Sequence, residues 1–396
     1  MIQLLSVGGN ALEDNFLWSG IIGQKDAIDK IRASLQSGEG SHAWLFVGPR
    51  GVGKRTTAKV MAAVLNCEEG GCGRCASCSK ISRGIHPDVS LIEPEGNFIT
   101  IEQVRQLQQF ISLKNYEGRA KVFIIDETDR FTQEAANALL KSLEEPPPGV
   151  VFILITANLE AILPTIVSRC RQVQFRSIAA QEMIVFLINK YGLSYDKASL
   201  ATKLSSGVLG TAISFATSAA KKERRKKVLG IIRDIDRFDL ARLSFIAEEF
   251  LSEVKRPLDE LKVKHKKEVS ELKEQFGLKG IPSHIKKRLE QRHKREISRE
   301  EHQGFEEILN ILISWFRDII LLKETDRQDL LTNQDRILEI KERVDLLTGA
   351  DVYECLQIIE EAKQLLRFNV NMQLTFETML FKIHEVVTVQ NSSHFR

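Results

Sequence analysis

The residues best suited to chemistry lie in one glycine-rich segment, residues 48–56. This segment reads Gly-Pro-Arg-Gly-Val-Gly-Lys-Arg-Thr and contains the Gly-x-x-x-x-Gly-Lys pattern of a phosphate-binding loop. In such a loop, Gly48, Gly51 and Gly53 let successive backbone N–H groups surround a phosphate, while Lys54 reaches its outer oxygens. Apolar residues precede the segment and a helical pattern follows it, as this chemistry requires. The segment predicts a nucleotide site; the alternative is a glycine-rich turn without a ligand.

The position after the lysine departs from that pattern. A hydroxyl normally stands there to contact Mg²⁺, but the residue is Arg55, and the nearest hydroxyl belongs to Thr56. One residue corresponds to about 100° around a helix, so the hydroxyl of Thr56 faces another direction. The loop is therefore suited to hold ATP or ADP, but poorly suited to hold Mg²⁺ or to hydrolyse the nucleotide.

Two acidic residues follow a second buried segment. Residues 122–125 are all apolar and run directly into Asp126 and Glu127. Parallel strands deliver such carboxylates to the sheet edge at which nucleotides bind. In a phosphate-loop protein Asp126 would orient Mg²⁺ through water, and Glu127 would polarise the attacking water. The alternative is that both acids only cap the next helix.

A cluster of cysteines indicates a metal site. Four of the six cysteines fall between residues 67 and 78, namely Cys67, Cys72, Cys75 and Cys78. Their spacing and the glycines between them allow short turns to direct four thiolates at one tetrahedral centre, as zinc requires. Two disulfides could use the same residues, but a tight cluster in a reducing compartment favours a metal. Four thiolates leave no open coordination position, so we expect a structural Zn²⁺ ion.

The order of apolar segments indicates how these residues are positioned. Buried strands are predicted at 43–47, 89–93, 122–125, 151–156 and 172–175, with helical patterns between them. Strands that alternate with helices predict an α/β fold with a parallel sheet. The loop and the two acids would then meet at the carboxyl edge of that sheet.

The composition is that of a soluble globular protein, with 43% hydrophobic and 28% charged residues. The net charge of +3 gives no global argument for nucleic-acid binding. The N-terminal segment does not resemble a signal peptide, and no apolar run approaches the length that spans a bilayer. We therefore expect a cytoplasmic protein with no membrane partner.

Two further motifs complete a series that resembles one protein family. Residues 137–147 read Asn-Ala-Leu-Leu-Lys-Ser-Leu-Glu-Glu-Pro-Pro, and Ser168-Arg169-Cys170 follow them. With the loop, the cysteines and the acids, they resemble bacterial DNA polymerase III clamp-loader subunits, which are AAA+ proteins that open a sliding clamp. The likeness covers residues 20–220 closely, and residues 369–374 resemble the last collar helix of that family. It implies a RecA-like core, a small helical lid and an all-helical collar that joins a hetero-oligomeric ring.

Departures from the family pattern indicate the type of subunit. Ala157 stands where a polar residue senses the γ-phosphate, and Gly210 stands where a nucleotide-contacting arginine is found. Together with Arg55 these changes resemble the delta-prime type, a stationary partner of the ATP-hydrolysing subunits. An active ATPase of the gamma/tau type is the alternative, and a DNA-binding adaptor is a third hypothesis.

The resemblance also implies a role for Arg169. In the family this arginine acts in trans on the ATP of a neighbouring subunit, so it would serve a nucleotide that this chain does not bind. The alternative is an arginine that only pairs with local carboxylates. The implied partners are clamp-loader subunits of the gamma/tau and delta types, and, through the complex, the sliding clamp and primed DNA.

The predicted domains are an AAA+ core at 1–176 with a zinc module at 67–78, a lid at 177–220 and a collar at 221–396. Within the collar, residues 252–302 contain 15 Lys or Arg and 10 Asp or Glu, with few large apolar residues. This segment predicts an inserted helical hairpin, broken by Gly277, Gly280 and Pro282. A solvated charged surface is the simpler interpretation of its charge, and contact with DNA is the alternative.

Overall fold

A computed structural model describes residues 16–37, 41–96, 98–205, 207–276, 283–325, 327–366, 368 and 370–393. The chain divides into two compact units, Met1–Thr217 and Ser218–Arg396. Each unit has its own hydrophobic core. The division falls three residues before the boundary predicted after residue 220, while the separation of core and lid within the first unit stays a prediction.

The first unit is built on a five-stranded parallel sheet. Its strands, in the spatial order β2-β3-β4-β1-β5, are β1 (Ala43–Val47), β2 (Val89–Ile92), β3 (Lys121–Ile125), β4 (Val150–Thr156) and β5 (Arg171–Gln174). In the register, Leu45 of β1 lies between Leu154 of β4 and Gln172 of β5. Because parallel strands need crossover connections, helices lie on the faces of the sheet. The predicted α/β class is confirmed.

Strand β1 shows why this segment reads as a continuous apolar run. Trp44 and Phe46 belong to the core on one face of the sheet, whereas Ala43, Leu45 and Val47 belong to the core on the other. All five side chains are buried. A strand that is covered on both faces needs apolar residues at every position, and polar residues therefore appear only where it ends.

Among its described residues, the first unit has ten α-helices. They are α1 (Phe16–Ser19), α2 (Lys25–Gln36), α3 (Lys54–Asn66), α4 (Ala76–Ser82), α5 (Ile101–Ile111), α6 (Gln133–Glu144), α7 (Pro164–Val167), α8 (Ala180–Tyr191), α9 (Tyr195–Leu204) and α10 (Leu209–Thr217). Helices α8, α9 and α10 pack on one another around a separate small cluster that includes Met183, Leu187 and Ala212. This cluster lies in the segment predicted as a lid.

The second unit is all-helical in its described residues, as predicted. Its helices are α11 (Ala219–Arg233), α12 (Leu240–Phe276), α13 (Ser283–Thr325), α14 (Ile337–Leu346), α15 (Gly349–Leu365) and α16 (Met372–Ser393). Phe250, Trp315 and Phe376 are among the largest side chains in its core. Asn369 of the predicted collar motif lies outside the described residues.

The charged segment extends two helices of this unit. Helices α12 and α13 run past one another, so that Nε2 of His265 lies 2.7 Å from Oε2 of Glu296. A Cβ at Gly304 would lie 2.9 Å from Cγ1 of Val254, so glycine permits a close approach of the two helices. Helix α13 continues through residue 302, where the sequence predicted the end of an insertion. The predicted break at Gly277, Gly280 and Pro282 lies outside the described residues.

Candidate functional site

The glycine-rich loop connects the end of β1 with the start of α3, which begins at Lys54. Its glycines, Gly48, Gly51 and Gly53, have φ values of 152°, 75° and 102°. A Cβ at Gly48 would overlap the backbone oxygen of Phe175, and one at Gly51 would overlap the side chain of Val208. The fold therefore requires glycine at both positions, and a residue of the predicted lid packs on the loop.

The side chain of Lys54 folds back onto the loop. It is buried, and its Nζ donates to the carbonyl oxygens of Gly48 and, at 2.6 Å, of Pro49. Burial lowers the pKa of Lys54 to about 8, although the nearby carboxylate of Asp126 opposes this shift. The ammonium group is thus satisfied by the backbone of its own loop.

The arginine that follows the lysine reaches the acids at the sheet edge. Its Nη1 lies 2.5 Å from Oε1 of Glu93, which follows β2, and 3.8 Å from Oδ2 of Asp126, which follows β3. Burial raises the pKa of Asp126, and the positive charge of Arg55 opposes that rise. Asp126 is the acid predicted to orient Mg²⁺, but the positive charge beside it is that of Arg55. With this pairing and no hydroxyl at position 55, these residues do not fit a Mg²⁺ site.

The second predicted acid is also paired with arginines. Glu127 has a left-handed backbone, with φ of 53°, and its Oε2 lies 2.9 Å from Nε of Arg130. Its Oε1 lies 3.7 Å from Nη2 of Arg50 in the loop. The carboxylate predicted to polarise a water is thus held between two positive charges. Thr56, the hydroxyl nearest to the lysine in sequence, is exposed on α3.

The two predicted departures lie at the ends of elements. Ala157 is exposed directly after β4, and the buried hydroxyl of the preceding Thr156 lies 2.9 Å from Oδ1 of Asp129. Gly210 lies in the first turn of α10, and no described heavy atom comes within 4 Å of a Cβ built there. A Cβ at position 210 is therefore not obstructed, and the sequence does not supply one.

The four clustered cysteines come together between α3 and α4. Their sulfur atoms all lie within 4.8 Å of one another, with Cys67 Sγ 3.6 Å from Cys72 Sγ and 3.7 Å from Cys75 Sγ. Four thiolates at 2.3 Å from a tetrahedral zinc ion would be about 3.8 Å apart. The backbone N–H of Arg74 lowers the pKa of Cys72 to about 7, and burial raises the pKa of Cys78. All four thiols are free, so the donor set fits zinc and the disulfide alternative is absent.

Arg169 lies two residues after the end of the short helix α7. Its Nε donates to Oε1 of Glu144 at 2.7 Å, and its Nη1 donates to the carbonyl oxygen of Thr165 at 2.9 Å. The side chain of Arg169 is 36% exposed and that of Glu144 is 45% exposed. The local carboxylate pairing considered above is therefore present, on a guanidinium that solvent still reaches.

Family models match both units of the chain. The model described as DNA polymerase III, delta subunit, matches residues 23–179, and the model for the C-terminal part of that subunit matches residues 296–385. Together they cover more than half of the chain, in the order of the two units. The chain belongs to the family of DNA polymerase III clamp-loader subunits. The match at residues 23–179 lies within the α/β unit.

Relatives of this clamp-loader subunit include several subunit types. The gamma subunit of Buchnera aphidicola subsp. Baizongia pistaciae is 37% identical over 49% of this chain and 54% of the relative. The delta' subunit of Bacillus subtilis is 27% identical over 89% of this chain and 93% of the relative. This chain spans about half the length of the gamma subunits it matches.

A gamma subunit-related protein from Thermotoga maritima is similar in structure, with a TM-score of 0.42 and 18% identity. The match covers 91% of this chain and 98% of that chain. In the described part of this clamp-loader subunit, no helix has the length and apolarity needed to cross a bilayer.

Sequence reasoning missed the partners of the predicted residues. Glu93, Arg50 and Arg130 pair with groups at the sheet edge, Val208 covers the loop, and Glu144 binds Arg169. A signal existed for Glu93, an acid at the end of the predicted strand 89–93. Glu144 stands inside a quoted motif, but nothing in that motif identifies which of its two adjacent glutamates meets Arg169.

Proposed function

We propose that this clamp-loader subunit is of the delta-prime type, a structural member of the ring that does not hydrolyse ATP itself. In this role Arg169 acts in trans on the ATP of a neighbouring gamma/tau-type subunit while the complex loads the sliding clamp on primed DNA. The other proposed ring partner is a delta-type subunit, and the proposed location is the bacterial cytoplasm.

The observation that carries this proposal is the pairing of acids with arginines beside the loop. Hydrolysis needs a carboxylate free to orient Mg²⁺ and another free to act on water. Here Arg55 is shared between Glu93 and Asp126, and Glu127 is flanked by Arg50 and Arg130. Each acid that hydrolysis would use already has a positive partner within 4.0 Å.

Two further observations support the delta-prime type. Ala157 has no side-chain hydrogen-bonding group, and Gly210 has no side chain although the space around it is open. The match to the delta' subunit of Bacillus subtilis extends over nearly the full length of both proteins. Arg169, in contrast, is retained and solvent reaches it.

The cysteine module has a structural role in this proposal. Cys67, Cys72, Cys75 and Cys78 would hold one Zn²⁺ ion, which needs four thiolate donors and has no open position for a reaction. The ion would join the end of α3 to the start of α4, since Cys67 follows α3 and Cys75 precedes α4. ATP or ADP bound at the glycine-rich loop is compatible with the proposal, provided that it is not turned over.

An active gamma/tau-type ATPase remains the second candidate. The identity with a gamma subunit is the higher of the two reported, and Lys54, Asp126 and Glu127 are all present. In that case the pairs of Arg55 and Glu127 would have to open to admit Mg²⁺.

Turnover by the purified chain separates the candidates. Without other ATPase subunits, but with sliding clamp and primed DNA, we expect no ATP hydrolysis above background. The same preparation should form a stable complex with gamma/tau-type and delta-type subunits on gel filtration. A gamma/tau-type subunit assayed in parallel is the positive control. Turnover by this chain alone at a comparable rate would establish the motor instead.

A further inference from the structure

The guanidinium of Arg169 is held by contacts on two sides. On one side, Nε and Nη2 both contact Oε1 of Glu144, the last residue of α6. On the other, Nη1 donates to the carbonyl oxygen of Thr165 at 2.9 Å and lies 3.4 Å from Oγ of Ser168. One conformation of a long, partly exposed side chain is thus fixed by one carboxylate and by the helix that precedes it.

These contacts leave donors available. A guanidinium has five N–H groups in a fixed plane. Nε donates to Glu144, whose carboxylate also lies against Nη2, and Nη1 donates to the carbonyl oxygen of Thr165. Nη1 also donates to Oγ of Ser168 at 3.4 Å, so the N–H of Nη2 that points away from Glu144 is the donor left for a ligand. A bidentate contact with a phosphate would use this N–H together with the one now shared with Ser168.

Both partners stand on anchored backbone. Leu143, the residue before Glu144, is buried in the core of the first unit, and so is Cys170, the residue after Arg169. The backbone N–H of Arg169 donates to the carbonyl of Ile166 at 3.1 Å, and Ile166 is buried as well. The carboxylate and the guanidinium therefore meet between two rigid supports.

We infer that Glu144 is a positioning residue for Arg169. Its carboxylate holds Nε and one side of Nη2, so that the outer N–H groups of the guanidinium face a phosphate of a neighbouring subunit. This inference rests on the proposed trans role of Arg169. Without Glu144 the arginine side chain would sample other rotamers, and that freedom would have to be lost again at each turnover.

The test compares four variants in the assembled complex. The quantity compared is the Arg169-dependent turnover, which is the part of the complex's ATP turnover that Arg169→Ala removes. We expect Glu144→Ala to lower the Arg169-dependent turnover about tenfold or more. The reason is that small misplacements of a catalytic group have effects up to about 100-fold. Glu144→Gln should retain most of the Arg169-dependent turnover, since the amide oxygen can still accept from Nε. Glu145→Ala, a change at the adjacent exposed glutamate, is the matched control and should retain all of it.

A kinetic separation excludes a merely structural role. The loss in Glu144→Ala should appear in kcat, with the KM for ATP unchanged, because Glu144 acts on the finger and not on nucleotide binding. Gel filtration and melting temperature are recorded for each variant. Should Glu144→Ala fail to assemble, Glu144→Asp takes its place, since a side chain one methylene shorter is expected to fall short of Nε.

The outcomes distinguish the two proposals. If Arg169→Ala leaves turnover unchanged, the trans role and this inference both fail. If Arg169→Ala lowers turnover while Glu144→Ala and Glu144→Asp retain the full Arg169-dependent turnover, only the positioning role of Glu144 is overturned. An equal loss in Glu144→Gln and Glu144→Ala, without recovery by the amide, would also contradict it.

Discussion

Two arginines of the first unit, Arg55 and Arg169, use the same side chain in opposite ways. The guanidinium of Arg55 lies within 4.0 Å of two carboxylates from neighbouring strand ends, and its donors are directed into the chain. Arg169 meets one carboxylate, Glu144, and a backbone oxygen, and part of its guanidinium stays open to solvent. The number of acids within reach thus separates an arginine that neutralises its own site from one whose guanidinium stays partly open to solvent.

The largest effect on ATP turnover is expected from removing the side chain of Arg169. Arg169→Ala should silence the adjacent ATP site, because such fingers contribute about 10³ to 10⁵ in rate at the site they serve. Total turnover of the complex should fall by that site's share, while assembly is unchanged. Arg169→Lys should recover little, since an ammonium does not reproduce the planar fork. Steady-state ATPase with clamp and primed DNA checks both variants, and full-rate hydrolysis by assembled Arg169→Ala complex would refute the trans role.

Variants of the cysteine module test whether this module and the region around Arg169 depend on each other. We expect about one zinc per chain in protein purified without chelator, and Cys75→Ser should bind it about 100-fold more weakly. At fixed free zinc this corresponds to about 2.7 kcal/mol, or a fall of roughly 5–10 °C in the melting temperature of the first unit. The sheet and Arg169 should be unaffected, because the four ligands are local in sequence.

Metal analysis and thermal melting measure this change. Cys170→Ser, at a buried cysteine outside the cluster, is the control that should retain zinc. Wild-type protein without zinc would refute the assignment of the module, and loss of the trans effect of Arg169 in Cys75→Ser would show that the regions are coupled.

A smaller effect on turnover is expected from replacing Arg55, which pairs with acids of its own site. Arg55→Thr restores a hydroxyl at the expected position and leaves Glu93 and Asp126 without their shared partner. We expect no turnover from this change alone, because Ala157 and Gly210 still lack polar side chains. The triple variant Arg55→Thr, Ala157→Asn, Gly210→Arg is the informative extension, since a Cβ at position 210 is not obstructed. Appearance of turnover in the single variant would show that Arg55 alone separates this chain from a motor subunit.

The smallest effect on turnover is expected at the loop lysine. Lys54→Ala should leave the ATPase of the assembled complex nearly unchanged, whereas loss of this lysine from a working motor lowers the rate at that site by orders of magnitude. The variant should lower stability instead, by about 1–3 kcal/mol, because the buried ammonium donates to two loop carbonyls. Denaturant unfolding measures the second effect. A large loss of ATPase in an intact complex would favour the gamma/tau-type alternative.

The sequence by itself determined the elements and the local sites. Strand β1 could be predicted because burial on both faces demands an unbroken apolar run, and the α/β class followed from its alternation with helices. The four cysteines could be placed at one centre because short turns connect them, so their geometry depends little on the rest of the chain. The absence of a hydroxyl at position 55, or of a side chain at position 210, is a property of the residues themselves.

Only the tertiary structure decided which charges meet. Glu93 lies beside Asp126 because β2 and β3 are neighbours, so Arg55 contacts both acids, and Glu144 reaches Arg169 because helices α6 and α7 pack together. Val208 packs on the loop although more than 150 residues separate it from Gly51. Composition and spacing constrain such pairs weakly, since many acids in the chain could serve any one arginine. Long-range packing selects one of these acids for each arginine. That selection pairs Arg55 with the acids of its own site and leaves Arg169 partly open to solvent.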